Sequence, residues 1–262
     1  MKPTLDVIKV GGQIVEEEDS LARLLDEFSA MEGRKVLVHG GGRSATKLAA
    51  QLGIETKMID GRRVTDAEML KVVTMVYGGL VNKNIVAKLQ ARGVNAIGLT
   101  GADGNVLLAH RRGVLKVQES KNSKVQETVD YGFVGDIDKG DGKILSTLIE
   151  QGIVPVMAPL THDGKGSLLN TNADTIAAET AKALTPYYDV TLTYQFEKPG
   201  VMRDPDDDES VIPVITAADF ERLKTEGIVS GGMIPKLQNA FDALEAGIAR
   251  VFINKTEITV RG

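Results

Sequence analysis

A chain of 262 residues with 42% hydrophobic and 26% charged residues has the composition of a folded globular protein long enough to bury a sizeable core. Its formal net charge of -5 gives no electrostatic reason to bind a polyanion, so nucleic acid is not an expected partner, and the absence of cysteine excludes disulfides and thiolate metal sites. The amino-terminal stretch MKPTLDVIKVGG lacks the long apolar core of a signal peptide and no run of about eighteen apolar residues occurs, so no membrane partner is expected and the chain reads as cytoplasmic.

In chain order, the first predicted strand is DVIKV at 6 to 10, followed by a helical pattern from Ser20 to Met31. KVLVH at 35 to 39 leads into a second helix, Ser44 to Leu52. Further β-branched runs follow at NAIGLT near 98, IVPVMAPL near 156, YDVTLTYQF near 192 and RVFIN near 252. Strands alternating with helices imply right-handed crossovers and a mainly parallel sheet covered on both faces, so the fold class is α/β. Between residues 104 and 143 the polar and apolar residues alternate instead, which predicts antiparallel hairpins, with KNSK at 121 to 124 as a mobile tip. DPDDDES at 204 to 210 reads as a solvated acidic turn, because the spacing and glycine of a calcium loop are missing.

Two predicted strands run straight into glycines, Lys9-Val10-Gly11-Gly12 and His39-Gly40-Gly41-Gly42. Such a turn is either a tight connection or an anion cradle; two of them at the carboxyl ends of parallel strands, where open α/β sheets place ligands, favour the cradle. The sequence carries neither GxxxxGK[ST] nor a strand-to-helix GxGxxG, so phosphate binding needs another scheme. Lys9 at the end of an apolar strand is an odd choice for a solvated lysine and suits a charge beside that cradle. Asn170-Thr171-Asn172-Ala173-Asp174 opens a helix that Asn172 or Asp174 could cap. Gly231-Gly232-Met233-Ile234-Pro235-Lys236 opens another, with proline suited to the first turn and a lysine that is poorly placed there unless it faces an anion. The three histidines are too scattered for a metal cluster, and no metal-binding residues are assigned.

With these residues assembled, the sequence resembles the amino acid kinase family, and within it the enzymes that phosphorylate N-acylglutamate. The resemblance rests on IKVGG at 8 to 12, VHGGG at 38 to 42, GRRVT at 61 to 65, NKNIVAKL at 82 to 89, GLTGADG at 98 to 104, YGFVGDI at 131 to 137, LLNTNADTIA at 168 to 177 and GGMIPKLQNA at 231 to 240. It implies a three-layer αβα sandwich around an open, mainly parallel sheet, formed as one domain over residues 1–262. An acylamino-acid lobe would occupy about 1–170 and a nucleotide lobe about 171–262. It also implies transfer of a phosphoryl group from ATP to the γ-carboxylate of N-acetylglutamate, in arginine biosynthesis, with Mg2+ bound mainly through the nucleotide phosphates.

Carried over position by position, Lys9 and Lys236 match the transition-state lysines and Asp174 the aspartate that holds both. Gly41 and Gly42 match the glycines whose amides meet substrate and transferred phosphoryl, and Gly11 and Gly12 the loop over the ATP phosphates. Arg63 matches the arginine on the substrate α-carboxylate, and Asn170 the asparagine on its acylated amino group. Adenine is expected between Gln195 to Met202, including Phe196 and Gly200, and the turn from Ile228 to Ser230. Arg43 and Arg62 depart from the family pattern; they are either surface cations or the mark of a longer acyl group with a second carboxylate, as in N-succinylglutamate. Tyr194 to Gly200 also departs from it. The chain starts directly on its first strand, without the helix that joins arginine-inhibited relatives into hexamers, so an arginine-insensitive homodimer is expected. A catalytically silent regulatory module is the alternative function, and retention of Lys9, Lys236 and Asp174 together argues against it.

Overall fold

The computed structural model describes residues 2–59, 61–118 and 126–260; the predicted tip KNSK lies outside them. The strands are β1 (Thr4–Val10), β2 (Arg34–His39), β3 (Met58–Ile59), β4 (Arg62–Arg63), β5 (Ala96–Leu99), β6 (Leu107–Arg111), β7 (Leu115–Gln118) and β8 (Gln126–Val129). They continue with β9 (Gly135–Gly140), β10 (Val154–Met157), β11 (Leu160–His162), β12 (Leu168–Asn170), β13 (Asp189–Gln195), β14 (Val214–Thr216), β15 (Arg250–Ile253) and β16 (Thr256–Thr259). The α-helices are α1 (Gly12–Glu16), α2 (Glu18–Ala30), α3 (Gly42–Gln51), α4 (Ala67–Val73), α5 (Asn82–Gln90), α6 (Lys143–Glu150), α7 (Ala173–Leu184), α8 (Ala217–Thr225) and α9 (Met233–Glu245).

One eight-stranded sheet, in the order β14-β16-β15-β13-β1-β2-β10-β5, spans the molecule and is parallel except where β15 meets β16. Strand alternation sends side chains to opposite faces. Leu5 and Val7 of β1 join a core with Ile176 and Ala181 of α7 and Leu237 of α9, whereas Ile8 and Val10 join a second core with Leu25 of α2 and Ala45 of α3. Helices therefore cover both faces, as the α/β pattern predicted. α2 shows why: Leu21, Leu24, Leu25 and Phe28 are buried at the three-and-four spacing of one helical face, and the chain turns back toward β2 at Gly33, with φ of 87°. Each fully buried side chain of that kind contributes about 1.5–3 kcal/mol, enough to hold a helix whose caps are weak.

The stretch predicted as hairpins supplies β6 and β9 and the hairpin β7–β8, and both of these pairs are antiparallel; β11 and β12, from beyond that stretch, complete a smaller sheet in the order β12-β11-β6-β9. Beyond the carboxyl ends of β13, β1 and β2, which lie side by side, the two glycine turns come together: Val10 pairs with His39 on one side and with Gln195 on the other. No helix among the described residues is long and apolar enough to cross a membrane.

Candidate active site

Lys9 is the next inward residue after Leu5 and Val7 on the α7 face of β1, and its Nζ lies 2.7 Å from Asp174 Oδ1 at the start of α7. Asp174 is free for this because Asn172 does the capping: its Oδ1 accepts from the backbone amides of Asp174 at 2.8 Å and Thr175 at 3.3 Å. Lys236, in the second turn of α9, lies with its ammonium 4.2 Å from the centre of the Phe196 ring. Burial and, next, the charge of Lys9 hold its pKa below the ordinary lysine value, while Asp174 and Glu197 oppose the shift. The ion pair of Asp174 is thus with Lys9, and its influence on Lys236 is through space. α9 begins on Gly232 with no side-chain cap and no acidic residue in its first turn, and the amide of Met233 donates to Ser230 O at 3.1 Å.

Beside these charges is a cavity of about 160 Å³ lined by Gly41, Gly42, Arg62, Arg63, Tyr77 and Asn170, among others. It is smaller than the roughly 300–1,000 Å³ of pockets for drug-sized ligands, which suits a small acid. Arg63 is only 7% exposed. Its Nη2 donates to Gly42 O at 2.7 Å and Thr46 Oγ1 at 2.9 Å, and its Nη1 to Thr56 Oγ1 at 3.2 Å, which ties β4 to the start of α3. Asn170 Nδ2 donates to Thr65 Oγ1 at 2.9 Å. Burial, and then the neighbouring Arg112 charge, lower the pKa of Arg62, with Asp136 and Tyr131 opposing.

Arg43, expected beside the acyl group, does not line this cavity. One residue beyond Gly42 the helix has turned by about 100°, and the side chain points to α1, where Nη2 donates to Gln13 Oε1 at 3.0 Å on a different cleft. Gly11 donates its amide to Gln195 O at 2.8 Å, and around Gly12 a Cβ would meet nothing within 4 Å, so this turn is open. Gly200, expected near adenine, is packed inward: a Cβ there would lie 2.7 Å from Thr256 Oγ1 and 2.8 Å from Val211 Cγ1. Its glycine is a packing requirement. Phe196 and Ile228 are partly buried at the margin of the larger core, and Ser230 is exposed.

Residues 5–254 match the amino acid kinase family. The chain belongs to the amino acid kinase family. It is 66% identical over 253 residues to the acetylglutamate kinase of Phocaeicola vulgatus, covering 97% of this chain and 94% of that protein. It is 65% identical to the acetylglutamate kinase of Bacteroides fragilis, covering 97% and 92%. A crystal structure from Streptococcus mutans UA159 superposes with a TM-score of 0.77 at 27% identity, covering 98% of this chain and 99% of that one.

Several residues that shape the site in this family member escaped the sequence reading. Glu16 Oε1 accepts the backbone amide of Ser44 at 2.7 Å, an acid borrowed from α1 to satisfy α3. His39 is fully buried; its Nδ1 donates to Gly40 O at 2.6 Å and its Nε2 accepts from Asn82 Nδ2 at 3.1 Å, while the same Nδ2 donates to Val156 O at 2.9 Å. This chain of bonds fixes the backbone just before Gly41. The sequence signals are the motifs VHGGG and NKNIVAKL, which contain His39 and Asn82 without assigning either a role.

Burial, opposed by the bond to Gly40, lowers the His39 pKa from 6.5 to about 4. The native state therefore holds His39 neutral while the unfolded chain takes a proton below about pH 6.5, so this contribution is complete above pH 6.5 and is lost as pH falls toward 4. The loss amounts to about 3 kcal/mol. Urea unfolding of wild type and His39→Asn from pH 7.5 to 4 should show the wild-type advantage shrinking over that window; a constant difference would refute the neutral histidine.

Proposed function

We propose that the chain transfers the γ-phosphoryl of ATP to the γ-carboxylate of N-acetylglutamate, giving N-acetylglutamyl 5-phosphate and ADP, in arginine biosynthesis and in the cytoplasm. The observation that carries this reading is the placement of Lys9, Asp174 and Lys236 at the carboxyl edge of the sheet. Beside them is a small cavity walled by Arg63 and Asn170. The likeness to proteins named acetylglutamate kinase supports it.

In this reading Arg63 takes the α-carboxylate, Asn170 the acylated amino group, and the amides of Gly41 and Gly42 the reacting carboxylate and phosphoryl. Gly11 and Gly12 lie under the nucleotide phosphates, with adenine toward Phe196 and Ile228 in a carboxy-terminal nucleotide lobe. An oxygen of the γ-carboxylate attacks the γ-phosphorus, the bond to the β–γ bridging oxygen breaks, and ADP leaves with the electron pair. Like charges must be brought together, and Lys9, Lys236 and preorganised amides offset that repulsion. Mg2+ would be held mainly by the nucleotide phosphates, where it would neutralise charge.

ADP release should be measured with a panel of acylated and free acidic amino acids plus Mg-ATP. Turnover of N-acetylglutamate and not of free glutamate is expected, and no release with any acylated acid would overturn the reading in favour of a silent binding module. N-succinylglutamate belongs in the panel because Arg62 lines the cavity; a higher kcat/KM for it than for the acetyl substrate would reassign the acyl preference. Lys9→Ala and Lys236→Ala should each lower kcat about a hundred-fold or more. Full turnover in either variant would remove that lysine from the mechanism.

The homodimer belongs to the same proposal. Met75 and Leu80 are 52% and 60% exposed between α4 and α5, an apolar outer surface that a second copy would cover. Light scattering should give about twice the chain mass of 28.1 kDa, and Met75→Glu with Leu80→Glu should shift it toward one chain. A wild-type monomer would end this part of the reading.

A further inference from the structure

Between α4 and α5 the helix does not continue regularly: Thr74–Val81 wind as a π-helix. Such turns are rare and concentrate at functional sites, because the extra residue per turn rotates side chains to positions an α-helix cannot reach. Here the π-wound segment carries Tyr77, 5% exposed, in the wall of the cavity.

Two contacts hold it. Its ring lies against Gly41, so closely that a Cβ on that glycine would stand 3.0 Å from Cδ1 and 3.2 Å from Cε1. Its phenol lies close enough to the Arg63 guanidinium to feel that charge. Burial raises the phenol pKa above its ordinary value, and Arg63 opposes the shift only in part, so the hydroxyl keeps its proton at neutral pH. Tyr77 and Arg63 line the same cavity, and a protonated hydroxyl beside a cation is free to donate to an anion held there.

We propose that Tyr77 is a substrate-positioning residue: beside Arg63 in the cavity wall, its hydroxyl donates to the same carboxylate that Arg63 takes, and its ring sets the height of the Gly41 turn beneath the reacting group. The proposal rests on the reading that Arg63 receives the α-carboxylate of an N-acylglutamate. It assigns the π-winding a purpose, since it is this segment that brings a tyrosine to both Gly41 and Arg63.

Tyr77→Phe separates the two contacts, because it keeps the ring and removes the hydroxyl. In wild type and variant, kcat and KM should be measured for N-acetylglutamate, for ATP, and for 4-acetamidobutanoate, which is N-acetylglutamate without its α-carboxylate. The expected result is a KM for N-acetylglutamate raised about ten-fold or more, as for loss of a hydrogen bond to a charged group. The kcat, the KM for ATP and the melting temperature should stay within error, and the two proteins should handle 4-acetamidobutanoate alike. An unchanged KM for N-acetylglutamate overturns the proposal, and so does an equal rise for both acids, which would mean that the hydroxyl only maintains the cavity. Wild-type inactivity toward every acylglutamate is a different failure: it removes the proposed function itself, and the proposal with it.

Discussion

The contact between Lys9 and Asp174 organises this molecule. It joins the carboxyl end of a central strand to the first turn of α7 across the interface of the larger core, and each partner is mostly shielded from water, with side chains 12% and 20% exposed. A charge in such a place is costly alone and tolerable as a pair, so the pair constrains both elements that carry it. Asp174 also sits where a helix favours a negative charge. Because Asn172 has taken over the capping bonds, both carboxylate oxygens remain available for cations. Lys236 completes the arrangement from a third element, with its ammonium against Phe196 and its pKa lowered by burial and by Lys9. An arriving anion would relieve both penalties, which is a reason for two lysines to be held so close before any ligand binds.

The second constraint is the shape of the turn at Gly40 to Gly42, which is bounded on several sides. His39 bonds the carbonyl of Gly40, and Arg63 bonds that of Gly42. Glu16 takes the amide of Ser44, and the ring of Tyr77 lies against Gly41. With carbonyls and outer amides occupied in this way, few conformations are open to the turn, and the small residues in it are needed for clearance as much as for flexibility. Preorganisation of this kind is what electrostatic catalysis requires, since a loop that had to reorder during transfer would give back much of the stabilisation.

How far this was legible in the sequence follows from the range of each interaction. The strands, the helix α2 and the hairpin region announce themselves by local periodicity, and the glycine turns and Lys9 stand out because their residue types conflict with their surroundings. Asn172 and Asp174 were both recognisable as cap candidates, but which of them caps depends on Lys9 lying across the sheet, far away in sequence. Arg43 and Arg62 looked equivalent beside glycines; the 100° step of a helix turned one toward Gln13 and left the other on the cavity. The roles of His39, Asn82 and Tyr77 had no local sign, because they come from contacts of α5 and a π-wound segment with the end of β2 and the turn that follows it. Gly200 reads like a ligand glycine in one dimension and is a packing glycine in three.

The same geometry bears on the kind of acceptor that the site can use. Phosphoryl transfer to a hydroxyl calls for a residue to accept its proton, as the catalytic aspartate of protein kinases does. Here Asp174 is engaged with Lys9, and both ring nitrogens of His39 are bonded within the fold. The described residues that line the cavity include no histidine, aspartate or glutamate and do include two arginines. A carboxylic acid with an ordinary pKa near 4 needs no base at neutral pH, because it arrives ionised and the arginines attract it. In the proposed reading charge thus does the work of selection that proton transfer would do elsewhere, and a carboxylate is the acceptor that the two arginines of the cavity suit.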